Sequence, residues 1–361
     1  MGVTEHGEPF MRKRFELSAV RLLLNIFRTG LFENPYLNIQ NSIKTVGNPE
    51  FMKAGYNAQL KSVVMLKNAG NILPLKKGST IYLPKKYTAP FQGFFGPPSK
   101  EKYEDAVNPT LLNKYFNLTD DPSKADCAIV FINSPSGGSG YDATDVNNGG
   151  NGYVPITLQY GPYTASEARV HSLASGDPSE PNVLDRTYKG KSIITGNFQD
   201  LKTIQETKLS MNGKPVIIVL TANKPYVPAE FEKDVNAILL SFGVQNQVIL
   251  DILSGIAEPS GLLPVQLPAD MNTVEQQNED IPHDMVCYID ASKNVYDFGF
   301  GMNWKGVIHD ARTKKYVKTV ADPVITVNGN SVTISNAGKA KIYYSTNGLT
   351  PAFIGENQYF K

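Results

Sequence analysis

The side chains of this chain that could do chemistry gather in one stretch, residues 134–197. It holds the carboxylates Asp142, Asp145, Glu167 and Glu180, the cations Arg169 and Arg186, and His171, all set among Gly, Asn, Ser and Tyr. Carboxylate, amide and guanidinium groups hydrogen-bond pairs of hydroxyls, and tyrosine faces cover C–H surface. A carboxyl acts as a general acid at neutral pH only where burial raises its pKa. Tyr160 and Tyr163 lie near Glu167 in the sequence and are candidates for such an apolar wall. Each residue also has a plainer reading: solvated loop carboxylates, a hydrated or structural His171, and an Arg186 paired with Asp185 or Asp177.

Other chemistries fail on spacing. The Gly-rich run from Ser136 to Gly140 is not followed by Gly-Lys-Ser/Thr, which excludes a phosphate loop of that kind. No Gly-x-Ser-x-Gly elbow occurs at a strand–helix turn. His283 and Asp284 have no second His at helical spacing, and two distant cysteines, Cys127 and Cys287, make no zinc pattern. No metal or cofactor is called for. With 35 basic and 34 acidic residues the net charge is +1, without the basic surplus of a nucleic-acid footprint. No apolar run reaches the roughly 18 residues of a membrane span. The residues after Met1 are polar where a signal peptide needs an apolar core.

The elements that must carry the polar stretch are legible on both sides of it. Residues 10–28 read as an amphipathic helix, with Leu17, Val20, Leu24 and Phe27 at spacings of three and four. Gly30 stops it, and Asn34-Pro35 marks a turn. A second helix is expected over about 50–67, closed by Gly70 with Pro74 beyond. Strands are expected at 80–84, 125–133, 214–223 and 236–242, and helices at 198–213 and 245–255. Continuous Val/Ile/Leu strands separated by helices imply a mostly parallel sheet covered on both faces, an α/β fold. The stretch 134–197 has no sustained period, and a long loop inside a compact domain is usually functional or disordered. Its tyrosines argue against a disordered tract. After about residue 320 short β-branched runs with Asn-Gly at 328–329 and 347–348 imply antiparallel hairpins, too few for a complete sandwich.

Four segments, in order, resemble glycoside hydrolase family 3. "AVRLLLNIFRTGLFENPY" (19–36) resembles its last barrel helix and exit linker, and "SVVMLKNAGNILPL" (62–75) the segment that opens its second domain. "PVIIVLTANKPYVP" (215–228) followed by "AILLSFGVQNQVILDILSGIAEPSGLLPVQLP" (237–268) resembles its later strands and their Pro-Ser-Gly-x-Leu-Pro close. "VYDFGFGMNW" (295–304) resembles the Tyr-x-Phe-Gly-x-Gly-Leu that ends the domain. The tail "KIYYSTNGLTPAF" (341–353) is similar to the small β module of chitobiase-like proteins.

The resemblance implies a two-domain β-glucosidase-like enzyme, a (β/α)₈-type barrel followed by an α/β sandwich, with carbohydrate substrate in the cleft between them. It implies retaining hydrolysis by two carboxyl groups about 5–5.5 Å apart. The expected divisions are 1–48, last barrel helix and linker; 49–308, α/β sandwich with the inserted loop 134–197; and 309–361, linker and partial β accessory module. "SVVMLKNAGNILPL" is then the sandwich's first helix and its turn into the sheet. The family's nucleophilic Asp lies in a Ser-Asp-Trp-like sequence on the barrel; the sole Trp here is Trp304, so the nucleophile is not expected on this chain. The family's acid/base Glu lies in a Ser-Gly-Glu-Gly-Tyr-Asp-Arg-like sequence, where this chain reads Ser136-Gly-Gly-Ser-Gly-Tyr-Asp142 and has no Glu. Three readings stay open: the acid/base is Glu167 in first place or Glu180 after it, or it is Asp142 or Asp145, or the loop only binds sugar and the acid lies elsewhere. Asp142, Asp145, Arg169, His171 and Arg186 are the candidate sugar contacts.

The expected partner is the barrel, in cis or in trans, and the isolated chain is expected to be inactive. The alternatives are a non-catalytic carbohydrate-binding or interaction protein, or one half of a split glycosidase. Localisation follows from what precedes Met1: periplasmic or secreted with a signal peptide, cytoplasmic otherwise.

Overall fold

The computed structural model describes residues 2–90, 97–166, 187–277, 284–316, 323–335, 342–344 and 358–359. The chain divides into two compact units, Met1–Asn57 and Ala58–Lys361. In the first unit, helix Glu8–Arg28 begins with Pro9 in its first turn and ends before Gly30. Helix Ile39–Thr45 is capped by the Asn38 side chain, which accepts from the Asn41 amide. Phe10, Phe15, Leu17, Val20, Leu22, Leu24 and Phe27 of the longer helix are all exposed.

The second unit is built on a sheet of eight strands among the described residues, here β1 (Val64–Asn68), β2 (Thr80–Tyr82), β3 (Asn117–Thr119), β4 (Cys127–Asn133), β5 (Val216–Thr221), β6 (Ala237–Ser241), β7 (Met302–Asn303) and β8 (Gly306–Val307). Their order across the sheet is β8-β7-β1-β6-β5-β4-β2-β3. The five strands from β6 to β3 run parallel. β1 is antiparallel to both β6 and β7, and β7 and β8 form a hairpin.

Side chains alternate between the two faces of a strand. Val130, Ile132, Ile218, Leu220, Ile238 and Leu240 form one core with Leu201 and Ile204 of helix Phe198–Ser210. Ile129, Phe131, Ile217, Val219 and Leu239 take the alternate positions and are buried too. Helix Asn246–Leu253 buries every residue from Val248 to Leu253. Burial on both faces is why β4, β5 and β6 carry uninterrupted apolar runs. Each fully buried Val, Leu or Ile contributes about 1.5–3 kcal/mol.

The opening segment of this unit corrects the sequence reading. The helix is Pro49–Ser62, not 50–67, and "VMLKN" is strand β1. Val63, Val64, Met65 and Leu66 are all fully buried. Four consecutive buried residues do not suit a helix with one wet face; a strand between β6 and β7, covered above and below, accommodates them. Gly70, at φ 68, lies in the turn after this strand rather than closing a helix.

Two family-like glycine motifs are explained by backbone crowding. Gly261, in the Pro-Ser-Gly segment, donates its amide to the Val63 carbonyl at 2.9 Å, and a Cβ there would stand 2.5 Å from the same oxygen. Gly301, in the Phe-Gly-x-Gly segment, packs against Gly261 in turn. Through these glycines the segments at 261 and 301 pack directly on β1 and on each other.

The tail contains a hairpin, Val324–Asn328 with Ser331–Ser335, joined through Gly329-Asn330, with Gly329 at φ 58. The Asn-Gly pair at 347–348 lies outside the described residues.

Candidate functional site

Ligands of open parallel sheets gather beyond the carboxyl ends of the strands. Here that rim is formed by the chain leaving β4, β5 and β6, and the stretch 134–197 departs from β4. Its beginning and end are tied together at the sheet. Ser134 continues the ladder, donating its amide to the Thr221 carbonyl at 2.9 Å, and its Oγ accepts the Asn223 amide at 3.0 Å. Ser136 donates its amide and hydroxyl to Asn197 Oδ1 at 2.7 and 2.9 Å. Asn197 Nδ2 is shared among the carbonyls of Asn133 and Ser134, each at 3.2 Å, and Asp200 Oδ2 at 2.9 Å.

Asn197 stands immediately before helix Phe198–Ser210, where Asn usually caps the first turn with its side chain. It makes no such bond. Its side chain reaches back 61 residues to Ser136 instead. Asp200 is 1% exposed and also accepts the Asn133 amide at 3.2 Å. Burial raises its carboxyl to about 6, against the opposing pull of those hydrogen bonds and of Lys86. Burial likewise lowers the Lys86 ammonium, with Asp200 pulling the other way; Lys86 Nζ donates to Asn133 Oδ1 at 2.9 Å. Local periodicity carries no signal for bonds that join Lys86 to Asn133 across 47 residues and Asn133 to Asp200 across 67.

The insertion itself is folded where it is described. Asp142 Oδ1 accepts the Thr144 amide at 2.8 Å and caps the short helix Ala143–Asn147. Asp145 pairs with Lys191 at 2.6 Å and accepts the Gly152 amide at 2.8 Å. Lys191 also donates to Asn151 Oδ1 at 2.7 Å and to the Tyr153 carbonyl at 2.8 Å. Its hydrogen bond holds the Asp145 carboxyl below the ordinary range. Gly137 has no room for a Cβ, which would collide with the Thr157 carbonyl. Gly138 adopts φ 86, and a Cβ there would lie 2.8 Å from Ile193 Cδ1. Gly138 is therefore a position that this backbone reserves for glycine.

Tyr160 and Tyr163 turn inward. Both are buried; Tyr160 donates its hydroxyl to the Asn133 carbonyl, and Tyr163 donates its own to Glu275 Oε1 at 3.1 Å. Tyr188 donates to Glu275 Oε2 at 2.6 Å, and strands Tyr163–Thr164 and Ser192–Ile193 pair beside it. Glu230 accepts the Tyr160 and Gly161 amides, and burial raises its carboxyl. Sequence reasoning did not single out Asn197, Asp200, Lys86, Glu230 or Glu275. Glu167, Arg169, His171, Glu180 and Arg186 lie outside the described residues. Asp142 and Asp145 are within one short loop; Tyr141, beside them, is exposed, with its ring edge-on to Tyr153.

No group of three or more His, Cys, Asp or Glu among the described residues could hold a metal. No described helix is long and apolar enough to cross a membrane.

A parallel sheet covered on both faces, with a tied insertion on its carboxyl rim, defines an α/β sandwich domain. Residues 184–304 match the Glycosyl hydrolase family 3 C-terminal domain. It is 26% identical over 294 residues to "Probable beta-glucosidase C" of Aspergillus flavus, covering 81% of this chain and 35% of that protein. It is 24% identical over 289 residues to "Periplasmic beta-glucosidase/beta-xylosidase" of Dickeya chrysanthemi, covering 80% of this chain and 34% of that one. The chain thus spans about a third of the length of these relatives. Among solved structures, a beta-glucosidase from Listeria innocua in complex with isofagomine aligns with TM-score 0.43 and 17% identity over 76% of this chain and 37% of that one.

Proposed function

We propose that these residues form the C-terminal part of a retaining, exo-acting β-glycosidase that hydrolyses terminal β-linked sugars, of β-glucoside or β-xyloside type. The observation that carries this reading is the family match over 184–304, together with relatives named as β-glucosidases and a β-xylosidase. Residues 49–308 are the sandwich and supply one wall of the cleft. A barrel, of which residues 1–48 are the last helix and its linker, supplies the nucleophile. The exposed apolar residues of helix Glu8–Arg28 support it, because a large apolar surface marks an interface. Residues 309–361 are a linker and a partial accessory β module.

On this reading a carboxyl from the insertion protonates the leaving oxygen, Glu167 in first place and Glu180 in second. Asp142, Asp145, Arg169, His171 and Arg186 contact sugar hydroxyls, and exposed Tyr141 offers a ring face to the sugar's C–H surface. Asp145 already holds Lys191, so its part is shared with fixing the loop.

The test is turnover of aryl β-glucosides and β-xylosides by the chain alone and combined with a family barrel. Turnover is expected only with the barrel, since loss of the covalent nucleophile removes the mechanism. Glu167→Gln should then lower kcat by about 10²–10⁴ for poor leaving groups. Robust hydrolysis by the chain alone would overturn the reading.

A further inference from the structure

The chain leaves β4 at Asn133 and must turn within a few residues to become the rim loop 136–142. The contacts that fix this turn converge on one amide. Asn197 Oδ1 receives both the amide and the hydroxyl of Ser136, and Asn197 Nδ2 reaches the carbonyls of Asn133 and Ser134. The Asn197 amide in turn donates to Ser136 Oγ at 3.2 Å. A single side chain thereby grips three of four consecutive residues, 133, 134 and 136. The preceding residue, Gly196, lies close enough to Ser136 that a Cβ would stand 3.2 Å from its Oγ.

An amide that serves so many partners needs a fixed orientation. Asp200 provides it: its Oδ2 accepts Asn197 Nδ2 at 2.9 Å and so sets which end of the amide faces Ser136. The same oxygen accepts the Asn133 amide, which registers Asp200 to the last residue of β4. Asp200 sits one helical turn after Asn197 in a helix packed on the core through Leu201 and Ile204. The rigid sheet and the helix together therefore dictate the loop's exit direction.

We infer that Asn197, oriented by Asp200, is the positioning residue that sets where loop 136–142 leaves the sheet, and that this loop is a sugar-facing part of the rim. The second clause rests on the function proposed above; the first does not. Neither residue touches the reacting atoms. Their role is to hold the loop in place, so their loss weakens binding to that wall and leaves the chemical step nearly unchanged.

Two measurements separate the clauses. In the full 361-residue chain, backbone amide exchange is compared among wild type, Asn197→Ala and Ser136→Ala, the latter keeping the Ser136 amide bond to Asn197. Exchange over 136–142 should quicken about tenfold or more in Asn197→Ala and by less in Ser136→Ala, while β5, Val216–Thr221, stays within about twofold. Unchanged exchange over 136–142, or an equal rise in β5, overturns the positioning claim. Where the chain combined with a barrel turns over an aryl β-glucoside, Asn197→Ala should raise KM about fivefold or more with kcat within about twofold. A loss in kcat at constant KM, which reports only a smaller folded fraction, would overturn the sugar-facing clause, and so would unchanged kinetics. Absence of turnover by the wild-type assembly would sink the proposed function, and with it the sugar-facing clause, while the exchange result still decides the positioning claim.

Discussion

Gly301 lies so close to Gly261 that a Cβ on it would collide with the Gly261 carbonyl oxygen. The two residues are 40 positions apart, and both stand beside β1, Gly261 through its bond to Val63 and Gly301 through the start of β7. The backbones of these segments pack directly on one another beside β1. No side chain can be added without parting β1 from the segments that cover it.

Gly301→Ala should therefore destabilise the chain by about 2–3 kcal/mol, the scale of overpacking in a filled core. Gly213 provides the control: it has φ 87 but nothing within 4 Å of its Cβ position. Gly213→Ala should cost only about 1 kcal/mol, the backbone penalty alone. Urea midpoints of the two variants measure the difference. Equal midpoints would show that crowding at Gly301 is not what its side-chain absence serves.

The same contrast explains what could be read in the sequence. β4, β5 and β6 are buried on both faces, so their apolar runs are continuous and bounded, and the helices that follow β4 and β6 stop at Gly213 and Gly255. β1 was obscured because its apolar run follows helix Pro49–Ser62 with no breaker between, and its partners β6 and β7 lie far along the chain. β3 and the β7–β8 hairpin are two or three residues long, too short for any period. The insertion's candidate residues rest on residue type, which says nothing of Asn197 or Asp200. Their partners are fixed by where β4 and helix Phe198–Ser210 meet, a relation of the fold rather than of neighbouring residues.

Asp200 should leave a pH signature. Its carboxyl rises from the ordinary 3.8 to about 6 on folding, because burial disfavours the charge. The native chain thus binds this proton more tightly than the unfolded chain. Stability from this group is full below about pH 4, falls as pH rises to about 6, and is level above that. The fall amounts to roughly 3 kcal/mol. Asp200→Asn carries no such titration. Unfolding free energies of wild type and variant, measured from pH 4 to 6.5, should converge or cross by about 2–3 kcal/mol; parallel curves would rule out the raised carboxyl.

Lys191 closes the near part of the insertion with three oxygen partners, from Asp145, Asn151 and Tyr153. Removing the ammonium leaves those oxygens facing one another. Lys191→Met should open residues 141–153 and speed chymotryptic cleavage at Tyr141 or Tyr153 by about tenfold, with the sheet still folded. The anchor should persist down to low pH. Lys191 holds the Asp145 carboxyl below its ordinary range, so its contribution is present above the unfolded value and is lost only as pH falls through the lowered one. Equal cleavage rates in the two proteins at pH 7 would count against this account of the loop.

Helix Glu8–Arg28 presents a different kind of expectation. Leu17, Val20, Leu24 and Phe27 fall on the face that its periodicity marks for burial, yet all four are exposed. Exposed side chains contribute little to the fold that carries them, so Val20→Asp with Leu24→Asp should change the unfolding free energy by no more than about 0.5 kcal/mol per site. The same pair should abolish association with a barrel, because a charge carried into an apolar interface must be desolvated without a partner. Thermal or urea unfolding measures the first effect, and co-elution with an added barrel domain the second. A large loss of stability would mean that this face already packs against the chain's own residues, and undiminished co-elution would mean that the barrel is held elsewhere.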